Sequence, residues 1–190
     1  ITVKNGEVAL NNVTITDTLS EYAEFAEQNV EPVITIRKSN DHSATAAQTS
    51  QNGVLVAEKT ELNNGDDVES RTLRAEIGSD GKITLNFPDG YKLENGWTYT
   101  VTVKIKPSEE AYIDYQKSGY GEAKGEANTD APGNITSSNQ PGFYSNTEAT
   151  LTYTSAGEVQ PEKTYPKPVI QVKNGTLQIT KEVSGGLDTT

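Results

Sequence analysis

Residues 97–106 read WTYTVTVKIK, and their alternation decides the fold class. Val101, Val103 and Ile105 fall on one side of an extended chain, and Thr102, Lys104 and Lys106 on the other. β-branched and aromatic residues at period two are the pattern of a half-buried strand. The same alternation recurs outward in both directions. It predicts strands over 1–4, 12–18, 33–38, 53–58, 70–76, 82–87, 143–154, 168–173 and 176–183. Asn-Gly, Asp-Gly and Gly-Asp pairs punctuate these runs as turns. Many short strands with polar turns imply an all-β chain, an Ig-like antiparallel β-sandwich.

One or two short helices interrupt the strands. In PSEEAYIDYQKSG, Ser108 is placed to cap a helix, Glu109 and Glu110 fall in its first turn, and Gly119 suits its end. LSEYAEFAEQ (19–28) has Tyr22, Phe25 and Ala26 at helical spacing, which predicts a turn or short helix. Residues 119–142, rich in Gly, Asn, Ser and Pro, read as a long surface loop.

Composition limits the function classes. The chain has 190 residues, 27 Asp+Glu against 16 Lys+Arg, and a net charge of −11. Nucleic acid and anionic membranes call for basic patches, so neither is an expected partner. There is no Cys, which excludes disulfides, thiolate metal sites and Cys nucleophiles, and the single His is His42. No metal site and no cofactor are expected. Asp66-Asp67 and Asp80-Gly81 lack the ligand order of a calcium loop and read as solvated turns. Hydrophobic residues make up 33% of the chain, a lean core for a domain without disulfides. Met is absent, so the chain reads as a piece of a longer protein.

Two charged residues sit in apolar rows. In NVTITDT, Asp17 shares a face with Val13 and Ile15. It is either a buried carboxyl or a cap at a strand end. In TLQITKEV, Lys181 shares a face with Leu177, Ile179 and Val183. It either snorkels from an edge or is desolvated, and a desolvated lysine tends to become a neutral, nucleophilic amine. One chemistry uses both oddities. A neutral lysine amine attacks the side-chain amide of an Asn, a carboxylic acid polarises the amide and shuttles the proton, ammonia leaves, and an isopeptide bond remains. Low dielectric and fixed contact among the three groups are its requirements.

ALNNVTITDTLSEYAEF resembles the first acid-bearing strand of isopeptide-forming domains in Gram-positive pilins and adhesins. KLENGWTYTVTVKIKPSEEAYIDY is similar to the middle of that family, and FYSNTEATLTYT to its late strand. TYPKPVIQV followed by GTLQITKEVSGGL resembles the junction into a Cna B-type domain. The ordered set is most similar to the region following the von Willebrand A-type domain of pilus-tip adhesins. The resemblance implies roles: Asp17 as catalytic acid, Asn146 as amide donor, and Lys181 as the cross-linking lysine of the next domain, toward residues beyond 190. It implies an isopeptide-type sandwich over 1–173 and the first strand of a Cna B-type domain over 174–190.

The family's own lysine lies on a strand ahead of Asp17. That leaves open Lys4, which alternates out of phase with Ile1 and Val3, or a strand preceding Ile1, which this domain would then lack. Asn146 is out of phase with Ala149, Leu151 and Tyr153. It points inward only if a bulge falls around Thr147, and is otherwise a turn or edge Asn. Trp97, Val101, Val103 and Lys106 partly resemble a pilin polymerisation motif, against which stands an ordinary strand with solvent-facing lysines.

The resemblance implies a structural or adhesive domain of a cell-wall-anchored surface protein or pilus subunit, extracellular on a Gram-positive bacterium. Its partners would be neighbouring domains of the same protein, with host matrix or glycan bound through other domains. Its chemistry would be single-turnover cross-linking rather than enzymatic turnover. The alternative is a carbohydrate-binding module of a secreted enzyme, with Trp97 and the tyrosines as a stacking platform. A carboxylate-pair hydrolase is the third reading, without a motif to single out the pair.

Overall fold

The computed structural model describes residues 2–4, 9–26, 33–58, 61–62, 74–78, 80–121, 141–165 and 167–172. Strands 70–73 and 176–183, the Asp66-Asp67 turn, most of the 119–142 loop, Lys181 and the whole 174–190 segment lie outside the described residues.

The chain opens with β1 (Thr2–Lys4), β2 (Leu10–Leu19), β3 (Ala23–Phe25) and β4 (Thr35–Ser39), then the helix α1 (Ala46–Asn52). It continues through β5 (Val54–Glu58), β6 (Glu61–Leu62), β7 (Arg74–Ile77), β8 (Lys82–Asn86), β9 (Thr98–Thr102) and β10 (Ile105–Pro107) to the helix α2 (Glu109–Ser118). β11 (Phe143–Tyr144), β12 (Asn146–Ser155), β13 (Glu158–Val159), β14 (Lys163–Thr164) and β15 (Val169–Ile170) complete it.

The strands form the expected all-β sandwich. One sheet has the order β1-β9-β4-β5-β6, and the other β13-β12-β2-β8-β7 with β14 also on β12. Two small pairs, β10-β3 and β11-β15, extend it, and the described pairings are antiparallel. Alternation drives the inward rows together. Val13, Ile15, Ile83, Leu85 and Leu151 of one sheet meet Ile36, Val56 and Tyr99 of the other in a single buried cluster. The polar row of β9 is buried too, because α1 packs over β4 and β9 and covers Thr98 and Thr100.

Three elements differ from the sequence expectation. Of the turn or short helix expected over 19–28, the turn forms at 21–22 and a strand, β3, follows it in place of a helix, paired with β10 through Ala23↔Pro107 and Phe25↔Ile105. A helix of two turns is marginal alone, and cross-strand hydrogen bonds outweigh its spacing signal. Tyr22 and Phe25 accordingly serve different cores, Tyr22 stacking on Phe143 and Phe25 packing on the main cluster. The 97–106 stretch breaks at Val103-Lys104, where the Lys104 carbonyl accepts from the Ala26 N–H and the chain leaves one sheet for the β10-β3 pair. The helix α1 is the third. Its signal was a Thr45-x-x-Gln48 capping box, in which the Thr45 side chain accepts from the Gln48 N–H and the Gln48 side chain from the Thr45 N–H.

α2 forms over the expected residues. The Ser108 hydroxyl accepts from the Ala111 N–H and donates to the Glu21 carbonyl at 2.6 Å, while the Ser108 N–H donates to the Tyr22 carbonyl. One residue thus caps the helix and fastens it to the turn after β2. Ser108→Ala is expected to cost about 1–2 kcal/mol, the range for losing an N-cap. Urea unfolding of the variant against wild type checks this.

A candidate isopeptide site at Asp17 and Asn146

β2 runs between β8 and β12, so Asp17 stands opposite both Ile83 and Ala149 in mid-sheet. It is not a strand-end cap, because the strand continues to Leu19. Its row, with Val13 and Ile15, points between the sheets. A small cavity opens there, lined by Ile15, Asp17, Ile83 and Leu85 from one side and Ile34, Val101 and Val103 from the other. Asp17 is the only polar member of this lining.

The carboxyl is poorly compensated. Its Oδ1 is inaccessible to solvent and has no hydrogen-bond partner among the described residues. Burial pushes its pKa from 3.8 up to about 6, against smaller lowering influences from positive charge and, less, from the Asn146 side chain.

Asn146 reaches this spot through a bulge. Asn146 pairs with Leu19, but Glu148 pairs with Thr18, so the register shifts at Thr147. The extra residue inverts the phase of Asn146 relative to Ala149 and Leu151. Asn146 consequently points inward and is 4% exposed, beside Asp17 rather than away from it.

Ser145 is the neighbour that sequence reading passed over. It is buried, its N–H and its hydroxyl both donate to the Pro168 carbonyl, at 2.8 and 3.0 Å, and its carbonyl accepts from the Ser20 N–H. The hydroxyl also lies 3.4 Å from Asn146 Oδ1. Only its place in the YSN triplet marked it, and a serine there is unremarkable until β15 is seen docking on β11 alongside.

Lys4 lies in the other sheet. Its backbone pairs with Thr98 of β9, as that of Val3 pairs with Tyr99. Lys106 pairs across to Glu24 with a 3.0 Å ion contact at the surface. Asp80 accepts from the Lys82 N–H and shapes a turn. Among the described residues no three His, Asp or Glu side chains converge as a metal site, and no helix is long and apolar enough to cross a membrane. Trp97 packs against the main core, and the Lys38 ammonium sits 4.6 Å from its ring centroid while pairing with Glu94. That ring face is occupied from within the domain.

The model of a family described as "Domain of unknown function (DUF7604)" matches residues 10–171. The chain belongs to this family. The DUF7604 match spans both sheets and includes Asp17, Ser145 and Asn146. No curated protein matches the chain. A solved structure of three N-terminal domains of the type V pili tip protein Mfa5 from Porphyromonas gingivalis is similar at 16% identity and a TM-score of 0.44. The similarity covers 86% of this chain and 21% of that one, so the chain spans about a fifth of that three-domain chain.

Proposed function

We propose that this DUF7604 domain is a structural module of an adhesive or pilus-type surface protein, closed by one autocatalytic amide bond at Asn146. A neutral lysine amine attacks Cγ of Asn146, Asp17 carries the proton to the departing nitrogen, and ammonia leaves. The reaction runs once per molecule, so the module is not a turnover enzyme. Its partners are the domains that flank it in the same polypeptide, and its place is the outside of the cell. On the same reading Lys181 serves the following Cna B-type domain of a Gram-positive, wall-anchored protein.

One observation carries this reading: the bulge at Thr147 brings a buried Asn amide against an under-compensated carboxyl at the wall of an apolar cavity. An amine entering that cavity would lose its hydration, which favours its neutral, nucleophilic form. Contact among three fixed groups then replaces an encounter in solution with a high effective molarity.

We place the amine on a segment ahead of β1 rather than on Lys4. β1 is antiparallel to β9 with Thr2 opposite Thr100, and Val101, the next residue of β9, lines the cavity with Val103. The test is peptide mapping of the full-length protein by mass spectrometry. The expected result is a branched peptide joining Asn146 to a lysine, one ammonia short, and absent from Asp17→Asn. A linear, unmodified Asn146 peptide from the full-length protein would overturn the reading.

A further inference from the structure

The Asn146 side chain has a polar neighbour for each of its ends. It lies on the same face as Asp17, whose carboxyl can engage only the amide NH2, the one donor the side chain has, and its Oδ1 faces the Ser145 hydroxyl at 3.4 Å. The two neighbours therefore stand on the two atoms whose charge changes during attack at Cγ. As the amine adds, electrons move onto Oδ1. As the adduct collapses, Nδ2 takes a proton and leaves.

The Ser145 hydroxyl has one proton and two acceptors within reach. In the resting domain it donates to the Pro168 carbonyl at 3.0 Å. That carbonyl also receives the Ser145 N–H at 2.8 Å. Rotation of the hydroxyl toward Asn146 therefore leaves no buried carbonyl unpaired, so the usual penalty for abandoning a buried acceptor is avoided. A neutral amide oxygen at 3.4 Å is a poor acceptor, whereas an oxyanion there is a strong, charge-assisted one. Such an interaction strengthens only as the reaction proceeds, which is the condition for lowering a barrier rather than tightening the ground state.

We propose that Ser145 is a catalytic residue of the cross-linking step, donating its hydroxyl hydrogen bond to the oxyanion that forms on Asn146 Oδ1. The inference rests on the cross-link reading above. The step balances within the site. The lysine Nζ–Cγ bond forms, the proton lost by Nζ passes to the Asp17 carboxylate and on to Nδ2, the Cγ–Nδ2 bond breaks, and ammonia departs. The amine is the lysine of that reading, and Ser145 keeps its proton throughout. The docking of β15 beside β11 serves the chemistry indirectly, because the Pro168 carbonyl parks the hydroxyl next to the amide.

The experiment follows closure in the full-length protein after a translation pulse, by mass mapping of the Asn146 peptide over time. Ser145→Ala is expected to close about 10²–10³-fold more slowly, the effect of removing one oxyanion donor. Ser145→Thr, which keeps a hydroxyl, is expected to close within about tenfold of wild type. A folding contribution is read separately by comparing melting of Ser145→Ala and wild-type Ser145 in an Asn146→Ala background, where no bond forms. Ser145→Ala closing in step with wild type would overturn the role of Ser145. So would Ser145→Thr being as slow as Ser145→Ala with the melting unchanged. A wild-type Asn146 peptide that stays linear and unmodified overturns the cross-link reading itself, an outcome distinct from both.

Discussion

In the full-length protein Asn146→Ala is expected to lose one ammonia fewer than wild type and to lower the melting of this domain by about 10–20 °C. The size of the shift follows from chain entropy. A bond from a strand ahead of β1 to β12 would close a loop of more than a hundred residues, worth about 4–5 kcal/mol in the denatured state. For a domain of this length each kcal/mol moves the melting point by about 2–4 °C. The lean core and the absence of Cys make such a constraint matter more here than in a larger, disulfide-bonded domain. Truncating a 4%-exposed amide has its own cost, so the comparison includes Asp17→Asn, which loses the bond but keeps every side chain near its size. Asn146→Ala melting within about 3 °C of wild type, by scanning calorimetry, would contradict the prediction.

The second large effect concerns pH. The Asp17 carboxyl has its pKa raised to about 6 from 3.8, with burial as the main cause. Between those values the folded domain holds a proton that the unfolded chain has released. Stability from this group is therefore fully present below the unfolded pKa and falls as pH rises through about 6. A shift of this size corresponds to on the order of 3 kcal/mol across the window. It is best read in the Asn146→Ala background, where no covalent bond intervenes. Removing Asn146 also removes one of the influences that lower the pKa, so the effect there is expected to be at least as large. Urea unfolding at a series of pH values between 4 and 7 should show the Asp17-containing protein losing ground to Asp17→Asn as pH rises. Parallel curves for the two proteins would contradict the prediction.

These two residues show how differently the two levels of structure can be read. Asp17 was legible because a strand has a fixed period of two, and a carboxyl in phase with Val13 and Ile15 must share their surroundings if the row is buried. What the sequence left open was whether the strand ended there. The flanking of β2 by β8 and β12 decided that, since hydrogen bonds on both edges carry it on to Leu19. Asn146 ran against its own alternation. Its inward position depends on a register shift at Thr147, and a bulge is a property of a strand pair rather than of one strand's residue order.

The helices divide in the same way. α2 could be read from Ser108, Glu109, Glu110 and Gly119, because caps act within a few residues. The capping box at Thr45 and Gln48 was equally local but passed unread among polar residues. Over residues 19–28 helical spacing misled, because β10 supplied a distant pairing partner for β3.

The sequence by itself determined the sandwich class, the row that Asp17 shares with Val13 and Ile15, and the span of α2, since periodicity and capping are short-range physics. Only the tertiary structure decided that the Asn146 amide meets Asp17 beside an apolar cavity, and that Ser145 faces its oxygen. The first of these joins residues more than a hundred positions apart, and the second hangs on Pro168, so strand register and the docking of β15 set their geometry.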